Sequence, residues 1–183
     1  MRYLYFLFFI SLFGCSEKEL KPELDYVRIE IYPYFEYPSE IQIDLKNKFI
    51  RFSSLQHLTV YEKQCDSIFE YEKIESLDFI NIDLSEDEFN SLNFIFNLDF
   101  KNSINQTNQD LLENPNKYEG DRIDGIIYEV DIINQNQIFS TDNYLLLEKN
   151  DKDKIRKVLN IIKKYTQSEK NDKYIERISF HLE

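Results

Sequence analysis

The chain has 183 residues, with 34 acidic against 22 basic side chains and a formal net charge of −12. That balance argues against binding nucleic acid by phosphate neutralisation and against adhesion to anionic lipid through basic side chains. Three glycines and no tryptophan occur, which leaves almost no material for a glycine-dependent phosphate loop.

The first twenty residues change character three times. Arg2 supplies a minimal basic start, residues 3–13 (YLYFLFFISLF) are apolar except for Ser11, and Gly14-Cys15 leads into the charged run Ser16-Glu17-Lys18-Glu19. Eleven residues span roughly 16 Å as a helix, too short for a hydrocarbon core of roughly 30 Å. A short apolar run behind a basic residue reads as a secretory leader, which takes no part in the fold. The end of that run, Leu12-Phe13-Gly14-Cys15, resembles the lipobox of bacterial lipoproteins.

The resemblance implies that residues 1–14 are removed as a signal peptide and that Cys15 is the lipidation site. Its thiol would carry a diacylglycerol and its new amine a fatty acyl chain such as palmitate. Two or three chains make attachment to the membrane effectively permanent, since each buried methylene contributes about 0.8 kcal/mol. Residues 15–23 then form the lipidated cysteine and a polar tether. Its eight residues 16–23 reach at most about 28 Å. Ser16 stands where an aspartate would resemble an inner-membrane retention signal, so the resemblance favours the outer membrane. Glu17 and Glu19 around Lys18 also resemble surface-export signals of some Gram-negative lipoproteins, leaving periplasmic and surface faces both open.

Cleavage before Cys15 leaves 169 residues, with 21 basic and 34 acidic side chains. This is one domain's worth of chain, taken as residues 24–183, and it is rich enough in Ile, Leu, Phe and Tyr to order itself. With Cys15 acylated, Cys65 has no intrachain partner, and no disulfide framework exists.

Residues 24–34 (LDYVRIEIYPY) alternate. Val27, Ile29 and Ile31 point one way, while Tyr26, Arg28, Glu30 and Tyr32 point the other, the period of a half-buried strand that Pro33 ends or places at an edge. Ile41, Ile43 and Leu45 alternate with Gln42 and Asp44, Lys46-Asn47-Lys48 makes a turn, and residues 49–53 return as a hairpin. Residues 57–62 add a candidate strand, and 79–83 a short one. Ser85-Glu86-Asp87-Glu88 is a capping box flanked by the staple pair Leu84 and Phe89. Phe89, Leu92, Ile95 and Phe96 then form a helical stripe ending near Leu98.

Residues 101–120, rich in Asn and Gln, show no periodicity and read as a long loop with one helical turn at 110–113. Residues 126–133 alternate again, with a turn at 134–136 and a return strand at 137–140. Ile155, Val158, Leu159, Ile162 and Tyr165 mark a second amphipathic helix, capped by Asn150 or Asp151. Lys163 and Lys164 complement its C-terminal dipole. Residues 174–182 alternate as a final strand, with Glu176 out of step. A gapless overlay of 44–53 on 131–140 suggests a duplicated hairpin. The expected fold is α+β, an antiparallel sheet of about six to eight strands with two amphipathic helices packed on one face.

Residues that carry chemistry are sparse. His57 and His181 fall in no metal-binding motif: neither HExxH nor CxxC occurs. Cys65 lies eight residues from His57, a thiol–base spacing that permits contact without implying it. The run Gly120-Asp121-Arg122-Ile123-Asp124-Gly125 fails as an EF-hand, because Ile123 and Ile132 occupy ligand positions counted from Asp121. No serine-nucleophile motif is present. The expectation is therefore no catalytic residues, no metal and no cofactor.

The tyrosines Tyr26, Tyr32, Tyr34 and Tyr37 stand out as an aromatic group suited to an interface. The leading functional reading is a lipid-anchored envelope protein that binds or supports another component without catalysis. A narrower form is an immunity or inhibitor protein that neutralises a basic toxin, and the competing class is an envelope hydrolase. Its partners would be the membrane, through acyl chains on Cys15, and a protein of the envelope, not nucleic acid. Mass spectrometry of the mature chain from its native membrane is expected to find Cys15 at the N-terminus and acylated. A mature chain lacking that residue, or carrying it unmodified, would contradict the anchor.

Overall fold

The computed structural model describes residues 21–33, 36, 38–55, 76–114, 126–141 and 147–182. Six strands form one antiparallel sheet: β1 (Tyr26–Pro33), β2 (Ser39–Asp44), β3 (Phe49–Ser54), β4 (Ile80–Asp83), β5 (Ile126–Asn134) and β6 (Gln137–Ser140), in the order β4-β3-β2-β1-β5-β6. Among the described residues four helices accompany it: α1 (Glu86–Ile95), α2 (Leu98–Glu113), α3 (Lys149–Tyr165) and α4 (Glu169–His181). The α+β class and the strand number agree with the sequence; the helix count does not.

β1 is an interior strand, and Pro33 is its last residue. Its missing N–H therefore falls where pairing ends. Period-two alternation sorts the whole sheet from this strand outward. Val27, Ile29 and Ile31 lie in register with Ile43, Ile41 and Ser39 on β2, and with Ile132, Val130 and Tyr128 on β5, all without solvent exposure. Ile50, Phe52 and Ile82 extend the same face. The helices bury Phe89, Leu92, Phe100, Ile104, Ile155, Val158, Leu159, Ile162, Tyr174 and Ile178 in the same cluster, giving two layers with one core.

The two hairpins close differently. Residues 45–48 turn β2 into β3, with Asp44 accepting from the backbone N–H of Asn47 at 2.7 Å and Lys48 at a φ of 56°. Only Gln135 and Asn136 separate β5 from β6, and both hold positive φ, the geometry of a tight two-residue hairpin. In the gapless overlay of 44–53 on 131–140 the two turns fall two residues apart, so the structure does not support a duplicated hairpin. The candidate strand at 57–62 lies outside the described residues.

Helix α1 starts as its sequence dictates. Ser85 accepts from the amide of Glu88, and the Glu88 carboxylate accepts from the Ser85 amide in return. Tyr165 donates to the same carboxylate at 2.8 Å. Burial works against that charge, yet these hydrogen bonds and Lys164 outweigh it and hold the Glu88 carboxyl below the usual glutamate range.

Two segments expected to be other than helical are helices. Residues 98–113, within and before the expected loop, form α2, because Phe100, Ile104, Thr107, Asn108 and Leu111 make a buried stripe at helical spacing whose middle is polar. Asn97 caps it by accepting from the Phe100 amide at 3.1 Å. The expected final strand, residues 174–182, lies instead in α4 and its C-cap: Asn171, Tyr174, Ile175, Ile178 and Leu182 face inward at helical spacing while Phe180 is 72% exposed. Glu176, out of step as a strand residue, falls on the outer face. In α3 the cap is Glu148, with no side-chain hydrogen bond, rather than Asn150 or Asp151.

Asp151 is buried instead. It accepts from Ser103 of α2 and pairs with Lys154 at 2.7 Å. Asn171 is equally buried and cradles the backbone of Asp78, accepting from its N–H at 3.0 Å and donating to its carbonyl at 2.9 Å. That pair of bonds ties α4 to the entry of β4. Asn171→Ala leaves both backbone groups short of a partner and is expected to lower unfolding stability by about 2 kcal/mol. Chemical denaturation reads the change, and an unaltered midpoint would show that the cradle contributes nothing.

Candidate functional site

The even-numbered side chains of β1 point away from the helices, and antiparallel register extends them into rows across the sheet. One row runs Asp83, Phe49, Asp44, Tyr26, Ile133, Ile138. The next runs Asn81, Arg51, Gln42, Arg28, Asp131, Ser140, and a third Ser53, Glu40, Glu30, Glu129. Tyr32 stands beyond it, opposite Ile127. Among the described residues this face therefore holds six carboxylates (Asp83, Asp44, Glu40, Glu30, Glu129 and Asp131) against two guanidiniums, those of Arg28 and Arg51.

Arg28 organises the centre. Its Nε donates to Glu40 at 2.6 Å and its Nη1 to Asp131 at 2.7 Å, while its other terminal nitrogen meets Glu30. The carboxylates come from its own strand and from both neighbours, so one planar fork joins β2, β1 and β5. Burial opposes the Arg28 charge, but hydrogen bonding and attraction from Glu40 and Asp131 outweigh it, and the guanidinium is held above its ordinary value.

Glu30 is only 5% exposed and also accepts from Tyr32, while Gln42 donates to Glu40. Glu129 has no such support. Desolvation first and the Asp131 charge second raise its carboxyl above the glutamate range, and Arg28 offsets them only in part. Tyr26 stands at the edge of the cluster, where burial and then the Glu40 charge push its phenol up to about 12. Beside it a cavity of about 260 Å³ opens between the turns, lined by Asp25, Asp44, Lys46 and Ile133 among others.

Of the four tyrosines singled out by sequence, Tyr26 and Tyr32 lie on this face, both partly buried, with the rows of Arg28 and Glu30 between them. Tyr34 and Tyr37 lie outside the described residues, as do Cys15, His57, Cys65 and residues 120–125. His181 is exposed at the end of α4 against the Phe180 ring. Among the described residues no three Asp, Glu, His or Cys side chains are arranged to hold a metal ion, and no helix is long and apolar enough to cross a membrane. Sequence reasoning missed the carboxylate cluster. Its signal was the alternation that placed Arg28 and Glu30 on one face, but partners 103 residues apart, such as Asp131, become neighbours only through strand register.

No family model matches the chain, and neither a curated protein nor a solved structure matches it.

Arg28→Met removes the cation that Glu30, Glu40 and Asp131 share. A loss on the order of 2 kcal/mol is expected at neutral pH, less than the roughly 3–5 kcal/mol of a fully buried pair because the side chain of Arg28 is 35% exposed. Left without the cation, the like charges of the three carboxylates repel one another at neutral pH, and protonation in acid removes that repulsion. The deficit against wild type should accordingly widen from acid to neutral pH in thermal melts. A pH-independent deficit would contradict the electrostatic account.

Proposed function

We propose that the chain is a lipid-anchored protein of the bacterial envelope, held by Cys15, that works as a non-catalytic binding module. The acidic face of its sheet engages a cationic protein partner. What carries this reading is the excess of carboxylates on one side of the sheet, with tyrosine at either end and helices on the other side. An interface of that kind gains on-rate and selectivity from charge complementarity, while aromatic side chains supply contact area. Arg28 fixes the carboxylates in place, so little side-chain freedom is lost when a partner docks.

The immunity or inhibitor form of the reading has the same support, since a basic toxin is one such partner. A hydrolase finds less: Glu30, Glu40 and Asp131 are engaged with Arg28, with Tyr32 and Gln42 bonded to the first two, and Asp44 is engaged with Asn47.

The test uses the acylated protein purified from its own envelope at low salt, beside a Glu129→Arg variant. Wild type should retain a basic protein that elutes as salt is raised, and the variant, folded by thermal melt, should retain several-fold less. No retained protein at low salt, or equal retention by the variant, would contradict the proposal.

A further inference from the structure

Two ends of the sheet carry exposed aromatic side chains, and they are unlike in their relation to the tether. At one end lie the 45–48 turn, the 135–136 turn and the start of β1. Asp25 joins them: its N–H donates to Ile133, its carbonyl accepts from Leu45 and Lys46, and its carboxylate accepts from Gln135. The chain enters the domain here. Leu24 is fully buried, whereas Lys21 and Glu23 are exposed. Helix α2 begins at the same place, because the Glu23 carboxylate accepts from the Leu98 amide at 3.1 Å. Phe94, 80% exposed, and Leu98, 43% exposed, sit at the junction of α1 and α2. The Asn97 side chain there donates to the Phe94 carbonyl.

The opposite end carries Phe79 and Phe180, 65% and 72% exposed. Its position follows from the bonds that close it: Leu77 to Ser54, Asn171 to Asp78, Tyr174 to Ser39, and Arg177 to Glu36.

We infer that the Phe94 and Leu98 end faces the bilayer, with the Phe94 ring and the Leu98 side chain in the lipid headgroup region. The inference rests on the proposed anchor at Cys15. Length decides between the ends. From Cys15 to Glu23 the chain reaches at most about 28 Å. The eight residues of β1 set the two ends roughly 26 Å apart. Turning the far end toward the membrane would need the tether drawn out to nearly its full length, at a cost in chain entropy that the near end does not incur, so Phe79 and Phe180 are disfavoured as the leading end. The near end is held at high effective concentration against the lipid surface. There two exposed apolar side chains gain by leaving water. The acidic sheet face then stands roughly along the membrane normal, clear of the headgroups and open to a partner from the side.

The chain has no tryptophan, so one introduced indole reports alone. Acylated full-length Phe94→Trp and Phe180→Trp are each placed in vesicles of phosphatidylethanolamine and phosphatidylglycerol, with and without brominated acyl chains. Phe94→Trp should shift to the blue and lose most of its emission to the brominated lipid; Phe180→Trp should keep the emission of an indole in water. Flotation of the vesicles with the protein reports the anchor separately. Protein that floats while Phe94→Trp stays unquenched, or while Phe180→Trp is the one quenched, overturns this orientation and leaves the anchor standing. Protein that neither floats nor carries acyl chains overturns both. Phe94 projects into solvent, so the exchange for tryptophan disturbs no packing.

Discussion

Arg28 stands mid-strand in β1, and the antiparallel register on either side brings Glu30, Glu40 and Asp131 within reach of its one planar group. Without that cation the same register would set like charges side by side across three strands, an arrangement that costs stability in any sheet. The guanidinium turns a mutual repulsion into a bonded network. It also leaves the network net negative, because one positive charge cannot balance three carboxylates. Glu129, Asp44 and Asp83 add to the surplus. The interaction that lets this face fold is therefore also the one that leaves it acidic.

The opposite face of the same strands obeys a simpler constraint. Ile29, Ile41 and Val130 fill one layer, and helices close it without any charge at the sheet. Of the buried polar side chains, Asp151, Asn171 and Ser39 each find a partner. Division of labour between the two faces follows from a period of two residues. An oily layer holds the domain together, a charged layer is left for recognition, and the entry point of the chain decides how that layer is presented.

Where the pattern of side chains was local, the sequence was enough. Val27, Ile29 and Ile31 alternate within a few residues, and Ser85 with Glu88 forms a cap that needs nothing distant. The two hairpins and the stripes of α1 and α3 are of this kind. The helices α2 and α4 were illegible because their inward stripes include polar residues. Thr107, which donates to the Ser103 carbonyl of its own helix, and Asn108 interrupt the first, and Asn171 opens the second, where its burial is balanced by the distant Asp78. In α4 the residues Tyr174, Ile178 and Leu182 satisfy spacings of both two and four, and the exposed Phe180 strengthened the wrong one. Within the candidate site, Tyr26 and Tyr32 could be named from the chain alone. The carboxylates around Arg28 could not, since 34 acids offer far too many pairings until register selects among them.

The most direct measurement is an NMR titration that follows each carboxyl carbon of the wild-type protein. If the sheet face keeps a surplus of negative charge around Arg28, Glu129 takes up its proton above the ordinary glutamate value of 4.5, because it lies desolvated beside Asp131. Glu88 serves as the internal contrast and titrates below that value, held by Ser85, Tyr165 and Lys164. A Glu129 carboxyl that titrated at or below the ordinary value would contradict a sheet face whose negative charge exceeds what Arg28 can neutralise.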